Sequence, residues 1–185
     1  MRYVNECISL LQSQNNGFYD GIIPDVHANI IRSEHINAYA DKLGDSYYLS
    51  FFAGLLQTVI DSTDSFDISR IPQAIVNSFG EAEVRKRVSK YCIYYIAAHE
   101  YAHVINKDCE PAASSSIPDE KEANADQKAC SMLKASLPFQ HRPDPRQSPF
   151  EQYKRWQLEM AMIPIVLNVA LAWCNKTFDR STFHY

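Results

Sequence analysis

Hydrophobic and polar residues alternate along the chain in patterns that predict a helix and then a small sheet near its beginning. Apolar positions at helical spacing predict a first helix over residues 2–13. Residues 25–52 are instead enriched in β-branched and aromatic side chains around a turn that contains Gly44. This enrichment predicts strands, with a hairpin across residues 35–52.

Helical periodicity, interrupted by loops, dominates the remainder of the chain. The predicted helices cover residues 54–61, a short stretch after Pro72, residues 81–106, residues 120–135 and residues 150–178, the last kinked at Pro164. Residues 107–119 and 138–149 contain the Ser, Pro and small residues of loops. The pattern predicts an α+β, helix-rich fold with a small sheet. The length of 185 residues fits a single domain over residues 1–185.

The helix over residues 81–106 carries the most informative pattern. Its inward face is predicted from residues that recur at helical spacing, namely Val84, Val88, Tyr91 or Cys92, Tyr95, His99 and His103. A basic run at residues 85–90 lies on the same helix. Because the chain has 18 Lys and Arg against 22 Asp and Glu, a solvated helix face is favoured over a nucleic-acid patch. No nucleic-acid partner is therefore expected.

Residues 99–103 read His-Glu-Tyr-Ala-His. Positions i and i+4 of a helix lie about 40° apart, so His99 and His103 can bind one Zn²⁺ ion together. Glu100 would lie beside the metal and not on it, where a general base can take a proton from the attacking water. The motif therefore predicts a catalytic zinc site.

The next predicted helix offers a third ligand. Glu122 and Asp126 share one helical face, so Glu122 can bind the metal while Asp126 orients one histidine through its Nδ1–H group. Glu120, Asp119 and Glu110 are competing carboxylates, but only Glu122 is paired with Asp126 in this way. Small residues would let the two helices approach each other: Ala98, Ala102, Ala123 and Ala125.

The groups that would face a substrate are less well defined by the sequence. An oxyanion needs a cationic or hydrogen-bonding group, and His141, Arg142 and Tyr153 are candidates that no spacing rule distinguishes from ordinary surface or core residues. The strand around residues 46–52 is expected to pair with an extended substrate, as strands at sheet edges do.

The motif HEYAH followed by EANAD resembles the gluzincin branch of zinc metallopeptidases. The upstream HINAYA, a turn and YYLSFFAGLL are similar to the asparagine-alanine-aromatic strand and following helix of many bacterial members. Within this branch, the sequence HEYAHVIN most resembles the phage-exclusion peptidase family of the Lit type, and the resemblance covers roughly residues 35–135. Family members continue further, so part of the substrate-binding region is expected to be missing after Tyr185.

This resemblance implies a zincin-like fold with a small sheet above the zinc helix. It implies that His99, His103 and Glu122 bind zinc and that Glu100 is the general base. It also implies a cytoplasmic bacterial protease that cleaves a translation elongation factor during phage infection. A protein or peptide substrate is thus the expected partner.

Cysteine usage and hydropathy agree with a cytoplasmic protein without a membrane span. The five cysteines include no C-x-x-C pair, which predicts reduced thiols. The apolar segment 160–174 contains Pro164 and is shorter than the roughly 20 residues of a span.

Two other functions stay open at this point. Sensor metallopeptidases that cleave repressors share the short zinc helix, but no helix-turn-helix pattern accompanies it in this sequence. A non-catalytic binding module would keep zinc for stability alone. The intact Glu100 argues against such a module, because a structural zinc needs no general base.

Overall fold

A computed structural model describes residues 2–13, 24–110 and 118–136, and most of residues 148–168. It shows an α+β, helix-rich structure with a small mixed sheet. In chain order the elements are α1 (Arg2–Ser13), β1 (Asp25–Ile31), β2 (Ala38–Leu43), β3 (Ser46–Phe52), α2 (Ala53–Asp64), a 3₁₀ turn (Ile68–Arg70), α3 (Gln73–Phe79), α4 (Glu81–Ile105) and α5 (Pro118–Ser136).

The predicted helices before residue 137 and the predicted hairpin are confirmed to within a few residues. Helical residues also occur from 149 onward, which confirms the beginning of the last predicted helix. Residues 169–178 of that helix, and 111–117 and 138–147 of the predicted loops, lie outside the described residues. The kink at Pro164 stays a prediction.

The sheet has the strand order β1-β3-β2. β2 and β3 form an antiparallel hairpin in which Leu43 pairs with Ser46. Gly44, with φ of 64°, occupies the first position of the two-residue turn, where a left-handed conformation favours glycine. β1 pairs with the other side of β3 in parallel. The local hairpin was therefore predictable, whereas the parallel pairing joins segments that no turn signal connects.

β3 is the central strand, so the prediction that the strand around residues 46–52 pairs with a substrate is wrong. Both of its sides are already occupied, by β1 and by β2. β2 is the edge strand that contacts α4. A substrate that adds a strand to this sheet near α4 would have to pair with β2.

α4 lies at the centre of the structure and contacts α1, α2, α3, α5, β2 and β3. The predicted inward face is buried as expected, with Val84 and Val88 almost inaccessible. Burial extends beyond that face, because every residue from Tyr91 to Ala98 is buried. Between Tyr91 and Ala98 the helix is covered on all sides and has no solvated stripe, so the amphipathic pattern underestimates the burial of this part of α4.

Small buried side chains occur on both α4 and α5, which contact each other. Ala98 and Ala102 of α4 and Ala125 of α5 are fully buried. Ala123 is exposed, so the prediction that it lies between the helices is wrong. Ala129, one helical turn beyond Ala125, is buried in its place.

The basic run of α4 is only partly solvated. Lys86 is exposed, as predicted, with 66% of its side chain accessible. Arg85 instead donates from Nη1 to the backbone carbonyl oxygens of Thr63, Asp64 and Phe66, at 3.1, 3.0 and 2.6 Å. It therefore binds the last carbonyl groups of α2, a position that favours a cation.

In the part of the chain that the structure describes, no helix combines the length and apolar character needed to cross a bilayer. The apolar segment 160–174 lies mostly outside that part. Among the cysteines, Cys7, Cys92, Cys109 and Cys130 are free thiols.

Candidate metal centre

The C-terminal end of α4 presents two histidine side chains to α5. The Nε2 atoms of His99 and His103 lie 3.2 Å apart, and their rings are nearly perpendicular, at 81°. Their separation by one helical turn places both imidazoles on the same side of α4. The predicted convergence of these two nitrogen atoms is thus present in the structure.

Glu122 of α5 completes a three-residue group. Its Oε2 atom lies 3.1 Å from His99 Nε2, and its Oε1 atom lies 3.4 Å from His103 Nε2. Among the described residues, His99, His103 and Glu122 form the group of His, Cys, Asp or Glu side chains that could hold a metal ion, with ligand atoms within 4.8 Å of one another.

The spacing of these three donors fits a zinc ion. Two ligands that each lie about 2.0–2.2 Å from a tetrahedral zinc are about 3.3–3.6 Å apart. The two Nε2 atoms are 3.2 Å apart, and each lies close to a different oxygen of the Glu122 carboxylate, His99 at 3.1 Å from Oε2 and His103 at 3.4 Å from Oε1, so these separations are near that range. Two imidazole nitrogens and one carboxylate oxygen are also donors that zinc accepts, and they leave a fourth position for water or substrate.

Asp126 contacts His99 at Nδ1, the ring nitrogen that does not face His103 and Glu122. Its Oδ1 atom lies 2.9 Å from His99 Nδ1. Because an ionised carboxylate can only accept, the Nδ1 atom donates, and in the neutral imidazole the lone pair then lies on Nε2, which faces the other two candidate ligands. The hydroxyl of Tyr95 donates to the same carboxylate oxygen. This contact of Tyr95 was missed from the sequence, where it was indistinguishable from a core aromatic residue.

Asp108 holds His103 in the same way. Its Oδ2 atom lies 2.9 Å from His103 Nδ1, and both side chains are largely buried. Asp108 was not predicted from the sequence because it follows the end of α4, where helical spacing no longer applies. Its one sequence signal was an acidic residue shortly after the second histidine. Each of the two imidazoles therefore has its own carboxylate partner.

Glu100 lies between the two histidines in sequence and is buried, with 5% of its surface accessible. Its carboxylate is not part of the three-residue group. Its negative charge nevertheless contributes to raising the pKa of both imidazoles. A position of Glu100 beside the metal stays a prediction.

The protons of the three-residue group are strongly coupled to one another. Burial alone would lower the pKa of His99, but hydrogen bonds with Asp126 and Glu122 outweigh it and raise the pKa to about 10. The pKa of His103 is also raised, mainly by Glu122 against the effect of burial. Burial would raise the pKa of Glu122, yet the two imidazoles lower it. The raised pKa values of the two imidazoles and the lowered pKa of Glu122 favour a proton among these side chains when no metal is bound.

The competing carboxylates are directed elsewhere. Asp119 and Glu120 are exposed on the first turn of α5. Glu110 binds Lys42, whose Nζ atom lies 2.6 and 2.8 Å from its two carboxylate oxygens, and it accepts a hydrogen bond from the Tyr47 hydroxyl. The preference for Glu122 among these residues agrees with this arrangement.

The candidates for oxyanion stabilisation remain without a structural place. His141 and Arg142 lie outside the described residues. Tyr153 is more than half exposed, stacks on Trp156 and accepts a hydrogen bond from Gln157. These contacts lie within its own helical segment and give Tyr153 no role at the three-residue group.

Comparison with protein-family models, with curated proteins and with solved structures finds no significant match to this chain. The geometry of the site and the chemistry of its donors therefore carry the functional argument.

Proposed function

We propose that this protein is a zinc-dependent metalloendopeptidase that hydrolyses a peptide bond in a protein substrate. The observation that carries the proposal is the convergence of His99 Nε2, His103 Nε2 and a Glu122 oxygen within 4.8 Å of one another. Glu100 is buried beside this group. A purely structural zinc site has four protein ligands and no need of a general base, so three ligands with a neighbouring carboxylate favour catalysis.

The roles of the protein side chains follow from the chemistry of hydrolysis. When bound, zinc supplies a Lewis acid that polarises the scissile carbonyl and makes water acidic enough to react near neutral pH. Glu100 takes the proton from the attacking water and passes it to the leaving amine. Asp126 and Asp108 keep the two imidazoles in the tautomer that directs Nε2 toward the metal.

The exposed edge of β2 is the part of the sheet that supports binding of an extended substrate. A two-residue turn makes its flanking pair of residues a hydrogen-bonded pair, so alternate residues of β2 direct their backbone groups away from β3: Ala38, Ala40 and Lys42. The N–H groups of Ala38 and Lys42 already donate to Asn37 and Asp41 side chains, at 2.9 and 2.7 Å. Among the described residues, no side chain accepts from the N–H group of Ala40, so we expect a substrate strand to pair with β2 at Ala40.

The resemblance to the Lit-type family refines the proposal. It implies a bacterial cytoplasmic protein with a zincin-like fold, and the length of 185 residues fits a single domain over residues 1–185. It also assigns a translation elongation factor as the substrate during phage exclusion. This refinement rests on the motif HEYAHVIN and on the strand and helix that precede it.

Incubation of zinc-loaded protein with a bacterial lysate, followed by identification of new protein N-termini, tests the function. The control is Glu100→Gln, which retains the shape and the metal ligands but removes the base. We expect new termini in a translation elongation factor with wild type and none with Glu100→Gln. Termini in a transcriptional repressor would support the sensor peptidase. If wild type and Glu100→Gln both bind zinc and give the same set of protein N-termini, the result would support the non-catalytic binding module and contradict the proposal.

A further inference from the structure

The turn that ends α4 has the geometry of a Schellman motif. Lys107 has a positive φ of 61°, which is uncommon for a residue other than glycine. The N–H group of Asp108 donates to the carbonyl oxygen of His103 at 2.9 Å, and that of Lys107 donates to Val104 at 3.1 Å. These two bonds are the pair that defines the motif, and they fold the chain back over the last turn of the helix.

This turn makes Asp108 contact His103 twice. The backbone N–H group of Asp108 binds the His103 carbonyl oxygen, and its side chain accepts from His103 Nδ1 at 2.9 Å. The two bonds fix both the position of the Asp108 Cα atom and the direction of its carboxylate. The left-handed conformation of Lys107 is what brings the residue after it back to the helix.

The far end of the turn is attached to the sheet. Glu110 binds the ammonium group of Lys42 on β2 at 2.6 Å and accepts from the Tyr47 hydroxyl on β3. Its backbone N–H group donates to the Lys107 carbonyl oxygen at 3.1 Å. The turn is therefore held at one end by α4 and at the other by the hairpin.

We propose that this turn is a positioning element of the metal centre, in which Lys107 sets the backbone and Asp108 orients His103 for metal binding. The inference rests on the proposed metal site, and it assigns a function to a residue outside the HEYAH and EANAD motifs. Asp108 does not contact the metal. It acts by holding the imidazole in the tautomer and orientation that the metal requires, and by increasing the basicity of the ligand.

Zinc affinity, measured by competition with a chromophoric chelator, tests the inference without any activity assay. We expect Asp108→Ala to bind zinc about 10- to 100-fold more weakly than wild type, since that is the usual effect of removing such a partner. Asp108→Asn retains an oxygen that accepts from Nδ1 and should recover most of the affinity. Asp119→Ala, which removes an exposed carboxylate of α5, is the control and should bind zinc as wild type does.

A second pair of variants changes only the backbone preference of the turn. Lys107 is exposed, so its replacement disturbs little packing. Lys107→Gly accepts a positive φ and should retain zinc affinity, whereas Lys107→Val disfavours it and should weaken binding. The visible spectrum of the Co²⁺-substituted proteins should change in the variants that bind weakly, because the geometry of the His103 ligand changes. This pair decides the question if Asp108→Ala does not fold.

The outcomes separate this inference from the proposed function. Equal zinc affinity of wild type, Asp108→Ala and Lys107→Val would overturn the positioning role and leave the metal site intact. A wild-type protein that binds no zinc would instead contradict the proposed function itself.

Discussion

The Nε2 atoms of His99 and His103 lie 3.2 Å apart, while a carboxylate holds the Nδ1 atom of each ring. At that distance two N–H groups that point at each other would repel, so at most one of the two Nε2 atoms can carry a proton between them. The space between them and Glu122 therefore favours a shared proton or a metal ion. This competition between proton and metal leads to the first prediction.

The stability of the metal-free protein should fall as the pH rises above neutral. The pKa of His99 is raised from 6.5 to about 10, so its stabilising effect is complete below pH 6.5 and is lost as the pH rises through 10. The lowered pKa of Glu122 adds stability that is present above its ordinary value of 4.5 and is lost as the solution is acidified. The metal-free protein should thus be most stable between pH 4.5 and pH 6.5, the ordinary pKa values of Glu122 and His99.

Zinc should reverse this trend, because metal binding requires deprotonated imidazoles. Thermal unfolding at pH 6 to 9, with chelator and with zinc, measures both effects. We expect the Tm measured with chelator to decrease from pH 6 to pH 9. The increase in Tm that zinc produces should become larger over the same range. Glu122→Gln removes the partner of both histidines and should flatten the profile with chelator. A chelated wild type whose Tm rises with pH would contradict the account.

Removal of the Asp126 carboxylate should weaken zinc binding about 10- to 100-fold, as expected for a group that orients a ligating histidine. Tyr95→Phe should have a smaller effect in the same direction, because the Tyr95 hydroxyl contacts Asp126 and not the histidine. Tyr91→Phe removes a hydroxyl from the preceding turn of α4 and is the matched control. Chelator competition gives all three affinities. Equal losses for the two tyrosine variants would show that Tyr95 has no particular role.

Arg85→Ala should lower the free energy of unfolding by about 1–3 kcal/mol, because three backbone carbonyl groups at the end of α2 lose a charged donor. Lys86→Ala changes the neighbouring exposed cation and should stay within about 0.5 kcal/mol of wild type. Urea unfolding of both variants compares them directly. A similar loss of unfolding free energy in both variants would mean that the lost positive charge, and not the hydrogen bonds of Arg85 to the three carbonyl groups, is responsible.

Gly54→Ala should destabilise the fold by about 1–3 kcal/mol through overpacking. A Cβ atom at Gly54 would lie 2.1 Å from the carbonyl oxygen of Glu34, in the segment that connects β1 and β2. Since this contact involves backbone atoms, a side-chain rotation cannot relieve it. Gln57→Ala introduces an alanine at an exposed position of the same helix and should be nearly neutral. Equal stability of wild type and Gly54→Ala would show that the segment moves freely.

Local patterns predicted much of this molecule. The hairpin followed from strand residues on both sides of Gly44, and α4 and α5 followed from helical periodicity. The convergence of His99 and His103 could be predicted because a helix fixes the relative position of residues i and i+4. The pairing of Glu122 with Asp126 used the same regularity on the neighbouring helix.

Features that depend on tertiary contacts were not predictable in this way. β3 is central because β1 adds to it in parallel, and no turn signal links these segments. Asp108 reaches His103 only because Lys107 adopts a left-handed conformation, which a lysine in the sequence does not predict. Ala123 is exposed because the rotation of α5 about its own axis is set by packing against α4 and not by composition.

Zinc content of the purified protein decides whether His99, His103 and Glu122 bind a metal ion. The comparison uses wild type, Glu100→Gln, Glu122→Ala and Glu120→Ala, where Glu120 is an exposed carboxylate on the same helix as Glu122. After saturation with zinc and removal of excess metal, we expect about one zinc per chain in wild type, Glu100→Gln and Glu120→Ala. We expect Glu122→Ala to lose it. Folded wild-type protein without zinc, or equal zinc content in the two glutamate-to-alanine variants, would contradict the assignment of this site.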